Sequence, residues 1–378
     1  MHLIWSTEDY VLHGRRVPGF PILLYDSMES CIPANSFFRS YLMRAQIESE
    51  SSWKGAGQAI YDYFSFLQVH NLDWKLVDRG EAKSLLYAYR DYCYSEHNLT
   101  VNTVRNRLLY ICKFYEHALK NKMIGKLPFD FEMRHSDAPS QFFDHLESTG
   151  NRTKANDAMP RAHKKTPKYL TRDGAKALIE ASDNIHHRTM IKFALQTGLR
   201  RVELATFPVA YIKQALLHPG NSLNVLLRLD PSDGHGMKTK RNTQRDLWVS
   251  RKLVMAIDRY ITQRRGERAH LGKSDNGRLF VNQDGNPYAE DGKALGKIVR
   301  DIGKKIGLHV NPHMLRHTYA THTLVSLRRM GGDIDPIVFL SRQMGHSSIN
   351  TTMIYSHLVD DMVDNAVIEY DEELSTME

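Results

Sequence analysis

The sequence predicts a mainly helical protein with a small antiparallel β-sheet, divided into two domains. Three observations carry this. The chain is 378 residues long, more than twice the ~150 residues of an average domain. Apolar residues recur at steps of three and four through residues 47–123 and again after residue 170, the period of a helix face. In the second half, strand-like runs are confined to Leu223–Leu229 and Arg245–Val249, and nothing resembles the strand–helix alternation of a nucleotide-binding α/β domain.

Residues 1–30 read as an N-terminal extension, in which Val11–Phe20 forms two short strands about a turn at Gly14. A helical domain spans 31–127. Ala56, Ile60, Tyr63, Phe64 and Leu67 make one stripe, and Leu85, Leu86, Tyr89, Tyr92 and Cys93 a second. Val104, Leu108, Leu109, Cys112, Phe114, Tyr115 and Ala118 make a third. Such stripes bury against one another, so their aromatic residues are core before they are a base-stacking platform. Asn98 or Thr100 would cap the third helix.

Periodicity lapses over 128–167, and Arg161–Lys168 is basic and proline-bounded, as an interdomain linker is. Lys164, Lys165 and Lys168 are candidate phosphate contacts there, with a merely solvated connector as the equal alternative. The second domain, 168–358, opens with Thr171 as an N-cap before Ala175, Leu178 and Ile179. A helix from about Arg188 to Thr197 follows, then the two strands, then helices over 253–264 and 295–306. The final third is helical, broken at Gly331-Gly332 and Pro336. The tail, 359–378, is acidic but carries the apolar set Met362, Ala366, Val367 and Ile368.

Lys plus Arg number 51 against 43 Asp plus Glu, a net charge of +8. Such an excess favours a polyanionic partner without requiring one. No run approaches the ~18 apolar residues of a membrane helix, and the opening residues lack a signal peptide's apolar core. No membrane partner is expected, and a cytoplasmic location fits. Cys31, Cys93 and Cys112 include no CxxC pair, which argues against a disulfide framework and a thiolate zinc site. GxxxxGK[ST], GxGxxG after a strand, and HExxH are all absent. His313, His317 and His322 have no acidic ligands near them in sequence. No cofactor is therefore expected.

What remains is a sparse set of basic residues around one tyrosine. Thr197-Gly198-Leu199-Arg200-Arg201-Val202-Glu203-Leu204 places a glycine break ahead of Arg200, lifting it out of the packing pattern. In His313-Met314-Leu315-Arg316-His317, residues three apart share a helix face, so His313 and Arg316 project together while Leu315 turns inward. In Met344-Gly345-His346-Ser347, Gly345 ends a helix and His346 sits in the turn, with Tyr355 nine residues on. Each alone reads equally well as structural.

In this order, the elements resemble those of the tyrosine recombinases, the phage integrase family. Its members carry an Arg in a GLRxxEL context, an HxLRH element, an LGHxS turn and a nucleophilic Tyr nine residues beyond that His. Here these match Arg200, His313 with Arg316, His346 and Tyr355; Met344 replaces the usual Leu, a volume-conserving change. The family also places a lysine in a β-hairpin turn, matching Lys238, which opens the turn, or Lys240. The usual proline after the hairpin is missing, since Ser250 follows Val249, and this leaves the register between the two lysines open. Lys240 and Arg241 are candidate DNA contacts in the same turn.

The resemblance implies a helical core-binding (SAM-like) DNA-binding domain joined to an α+β catalytic domain. It implies site-specific action on double-stranded DNA by a homo-tetramer, one dimer per site, with accessory DNA-bending or directionality proteins and no cofactor. It further implies a 3′-phosphotyrosyl intermediate on Tyr355 and docking of the tail on a neighbouring protomer. Two guanidiniums suit the nonbridging oxygens of a phosphodiester. His313 is expected to take the tyrosine proton, His346 to hydrogen-bond the phosphate, and Lys238 to protonate the leaving 5′-oxygen. Glu203 reads as a structural partner of a neighbouring base. A type IB topoisomerase and a catalytically silent DNA-binding regulator are the competing readings.

Overall fold

Helices form where apolar residues recur at helical spacing and a capping side chain starts them. The computed structural model describes residues 1–12, 14–43, 47, 50–77, 84–135, 152–161, 166–217, 222–273, 275–330, 335–346 and 348–356. The chain divides into two units, Met1–Lys164 and Lys165–Glu378, each with its own core.

In the first unit, β1 (His2–Trp5), β2 (Val11–Leu12), β3 (Arg15–Arg16) and β4 (Pro21–Leu24) form two antiparallel pairs. β2 pairs with β3, and β1 with β4, with His2 opposite Leu24. The outer pair is part of the core: Phe20 and Leu23 are buried among the helices. The buried Asn35 side chain satisfies Leu23 on both sides, accepting from its N–H and donating to its carbonyl at 2.8 Å each. Asn35 lies on α1 (Ile32–Phe38), which is followed by α2 (Glu50–Val69), α3 (Leu85–Ser95) and α4 (Val101–Lys120).

The aromatic stripes meet in the middle of this unit, where the Tyr63 and Tyr115 hydroxyls share a hydrogen bond of 2.6 Å. Thr100 caps α4, accepting from the Thr103 N–H, while Asn98 takes a left-handed turn, φ 48°, ahead of it. Within the stretch expected to be connector, β5 (Phe131–His135) and β6 (Arg152–Asn156) form a five-residue antiparallel pair. Their apolar residues are too few to show a strand pattern in the sequence.

The second unit begins with α5 (Arg172–Glu180), capped by Thr171. α6 (Ile185–Thr197) starts three residues ahead of the expected Arg188, because the Asn184 side chain accepts from the His186 and His187 N–H groups. α7 (Arg201–Ala205) and α8 (Val209–Leu217) follow. β7 (Asn224–Leu229) and β8 (Arg245–Ser250) pair antiparallel, with Leu229 opposite Arg245. Along β8, Arg245, Leu247 and Val249 point inward and Asp246, Trp248 and Ser250 outward.

Ser250 caps α9 (Arg251–Tyr260), which runs through one wider turn into α10 (Gly266–Ala269). α11 (Lys293–Lys305), α12 (Pro312–Met330) and α13 (Pro336–Met344) complete the unit with a helical segment over 350–356. α12 packs on α6 and α13, and α13 packs on β8. Ala320, Leu324, Leu340, Met344 and Tyr355 close a small core cluster. Among the described residues, no helix is long and apolar enough to cross a membrane.

Candidate active site

Gly198 ends α6 in the left-handed conformation, φ 62°, and a Cβ there would collide with the Tyr319 ring. The chain reverses, and Arg200 becomes the first residue of the next turn. Glu203, fully buried, fixes it twice: Oε2 accepts from the Arg200 backbone N–H at 2.8 Å and Oε1 from Nη1 at 2.9 Å. Arg200 Nη2 donates to the Gly345 carbonyl at 2.8 Å.

Arg316 comes from α12 and is only 2% exposed. Its Nη1 donates to the Gly198 carbonyl at 2.5 Å, and Nη2 to the Met344 carbonyl and, at 3.3 Å, to His346 Nε2. Guanidinium has no acceptor, so Nε2 of His346 must be the accepting nitrogen and its proton sits on Nδ1. That nitrogen lies 2.8 Å from Thr352 Oγ1. Gly345, φ 61°, caps α13 and delivers His346 to this position.

Tyr355 is 1% exposed. Its hydroxyl lies 2.7 Å from His317 Nδ1, and its ring is parallel to that of His346 at 6.5 Å. The histidine beside the tyrosine hydroxyl is thus His317, whereas His313 was expected to take the tyrosine proton. Tyr355 packs with Ala320 and Leu324, further along α12, and the histidine on the turn facing that cluster is His317. His313 is exposed one turn earlier, its ring 4.3 Å from that of His317.

The charges are unbalanced in favour of an anion. Around the Glu203 carboxylate stand Arg200, Arg316 and the buried Arg245, whose Nη2 donates to Oε2 at 2.6 Å. Burial alone would raise the Glu203 carboxyl, yet Arg245, Arg200 and Arg316 hold it below its usual range. Burial, then repulsion from Arg316, Arg200 and Arg245, brings His346 down to about 3. Burial, then His313 and Arg316, brings His317 down to about 4. Both imidazoles are therefore neutral at pH 7. Burial pushes Tyr355 up to about 12, against the pull of Arg316 and Arg200.

The expected lysine is not brought to this cluster. Lys238 Nζ pairs instead with Glu290, both half exposed, while its backbone N–H donates to Thr206 Oγ1 at 3.0 Å. Lys240 is exposed at the start of the tight turn Lys240–Asn242, and Arg241 beside it takes a left-handed φ of 61°. Lys168 is exposed; Lys164 and Lys165 lie outside the described residues. Sequence reading missed Arg245 and Thr352. Arg245 had a signal, an arginine on the inward side of the alternation Arg245, Leu247, Val249. Thr352 had none, being one of two adjacent threonines.

Residues 168–362 match the family model described as the phage integrase family, and the chain belongs to this family of tyrosine recombinases. It is a DNA-cleaving and DNA-joining enzyme of site-specific recombination. The chain is 29% identical over 272 residues to the tyrosine recombinase XerA of Pyrococcus horikoshii, covering 68% of this chain and 82% of that one. It is 26% identical over 336 residues to XerC of Bacillus licheniformis, covering 87% and 92%. Its fold is similar to that of the XerH site-specific recombinase bound to a palindromic difH substrate, with TM-score 0.57, 15% identity, and 89% and 85% of the two chains covered. The Tn1549 transposon integrase in complex with transposon right end DNA is similar at TM-score 0.53, 18% identity, and 85% and 94% coverage.

Proposed function

We propose that this chain cuts and rejoins duplex DNA through a 3′-phosphotyrosyl intermediate on Tyr355. The observation that carries this is the Tyr355 hydroxyl bonded to neutral His317 beside an arginine cluster with surplus positive charge. The tyrosine oxygen attacks the scissile phosphorus as the bond to the deoxyribose 5′-oxygen breaks. The phenolic proton passes to His317 Nδ1. Arg200 and Arg316 exchange their carbonyl partners for the nonbridging oxygens, where paired forks stabilise the pentacoordinate charge. The exposed His313 donates a further hydrogen bond to the phosphate, and His346 does the same once Arg316 leaves its Nε2 and the ring proton moves from Nδ1 to that nitrogen.

The 5′-oxygen is a poor leaving group unless protonated. The acid is a lysine of the β7–β8 turn, and for Lys238 this means exchanging Glu290 for DNA. Resealing runs the same steps backward with a second 5′-hydroxyl, without ATP because the phosphotyrosyl bond conserves the energy.

Two protomers on each of two sites make the working homo-tetramer. A groove of about 980 Å³, lined by Arg172, Lys176, Arg188 and Lys192 together with Ile179 and Leu195, suits an acidic amphipathic segment such as the 359–378 tail of a neighbouring copy. That tail lies outside the described residues. Accessory DNA-bending proteins, a cytoplasmic setting and a mobile element being integrated, excised or resolved complete the reading.

Half-sites are first selected by the protein from a random-sequence duplex library. A nicked duplex carrying them should then form an SDS-stable adduct in EDTA with no ATP, leaving a free 5′-hydroxyl. Strict dependence of the chemical step on magnesium would overturn this mechanism.

A further inference from the structure

Arg245 has no part in the chemistry above, yet it is a cation placed on the inward face of β8 between Leu229 across the pair and Leu247 along the strand. Its side chain is 7% exposed. A charge is buried at this depth only where its partners repay the loss of water. Both partners belong to the site. Nη2 donates to Glu203 Oε2 at 2.6 Å, the same oxygen that accepts the Arg200 backbone N–H. Nη1 donates to the Gln343 carbonyl. Nε is buried with no hydrogen-bond partner, so its two outer nitrogens hold this guanidinium although its third donor goes unsatisfied.

The Gln343 side chain is docked on the same strand, donating to the Trp248 carbonyl at 2.6 Å and accepting from its N–H at 3.0 Å. The next two carbonyls along the chain, those of Met344 and Gly345, receive Arg316 and Arg200. A Cβ at Gly345 would lie 2.5 Å from Arg245 Cδ and 3.6 Å from Arg200 Nη1. The two arginines thus close over the glycine that delivers His346.

We propose that Arg245 is a positioning residue for cleavage. Through Glu203 it sets Arg200, and through the Gln343 carbonyl it sets the turn that carries His346. Its charge also competes with Arg200 for Glu203, so the carboxylate does not neutralise the cation meant for the phosphate. A lysine supplies the charge but not the fork that reaches Glu203 and Gln343 together. This inference rests on the reading of the site as phosphodiester-cleaving.

The test uses the full chain and the nicked duplex built from the selected half-sites. Single-turnover adduct formation is measured at saturating DNA for the wild type, Arg245→Met and Arg245→Lys. Both variants should bind DNA within about twofold of wild type and cleave about a hundredfold more slowly, the lower end of what losing one charge-stabilising donor costs. If Arg245→Met does not fold, Arg245→Lys alone is read.

The distinguishing readout is a duplex with a methylphosphonate at the scissile position. A neutral phosphate needs less from Arg200, so the ratio of wild-type to variant rates should shrink by about tenfold, a change that a general packing defect would not produce. Unchanged cleavage at saturating DNA, or an equal ratio on both substrates, would leave Arg245 a purely structural residue and sink the proposal. A wild-type chain that forms no adduct would instead contradict the cleavage chemistry itself.

Discussion

In the proposed reaction Tyr355 starts as a protonated phenol whose proton passes to the histidine beside it. Burial holds it at about 12, while the neutral His317 imidazole waits at 2.7 Å. Because burial and neighbouring cations hold His317 at about 4, its accepting form is lost only as pH falls through that region. Single-turnover cleavage at saturating DNA should therefore stay level from pH 8 to about 5.5, whereas an unperturbed histidine would already be half protonated near 6.5. His317→Ala should slow adduct formation by about 10²-fold or more, the usual worth of a placed base, and should remove the acid limb of the profile. A limb centred near pH 6.5 in the wild type would contradict the neutral assignment.

At the scale of elements, the site depends on how helices end. Gly198 and Gly345 both cap helices in the left-handed region, and each faces a side chain that leaves no room for a Cβ. Gly345→Ala should abolish cleavage and lower stability, whereas Thr171→Ala, a cap whose side chain accepts, among the described residues, only from the Gly174 N–H, should cost about 1 kcal/mol in denaturant unfolding and leave the cleavage rate intact.

Helices α2 to α6, α9 and α11 to α13, with strands β7 and β8, were legible because period and capping chemistry act locally, whereas α1, α7, α8 and α10 were not marked by either. Arg200, Arg316, His346 and Tyr355 were singled out from motif order, and the structure brings all four together. What local pattern does not carry is partner choice across the fold. Nothing in His313-Met314-Leu315-Arg316-His317 says which histidine faces Tyr355, since that depends on α12 packing against the cluster at Ala320 and Leu324. The pairing of Lys238 with Glu290, 52 residues on, and the strands hidden in the 128–167 stretch were beyond reach for the same reason.

For the whole molecule, the chain divides after Lys164 into two units with separate cores. If each unit neutralises DNA phosphates, the 165–378 fragment should keep its fold but bind its site more weakly. Its log affinity should fall less steeply with log salt, the slope shrinking by about 0.9 for each phosphate the fragment leaves unneutralised. Replacing Lys164, Lys165 and Lys168 with alanine should weaken binding evenly across sequences, because phosphate contacts position and do not specify. An unchanged salt slope would reduce that segment to a connector and leave the catalytic unit as described.

Mass spectrometry of the trapped adduct reads the Tyr355 linkage itself. A single phosphotyrosyl peptide is expected, with Tyr355 joined to the 3′-phosphate at the break, and no adduct from Tyr355→Phe at undiminished DNA binding. An adduct on another residue, or one that persists in Tyr355→Phe, would contradict it.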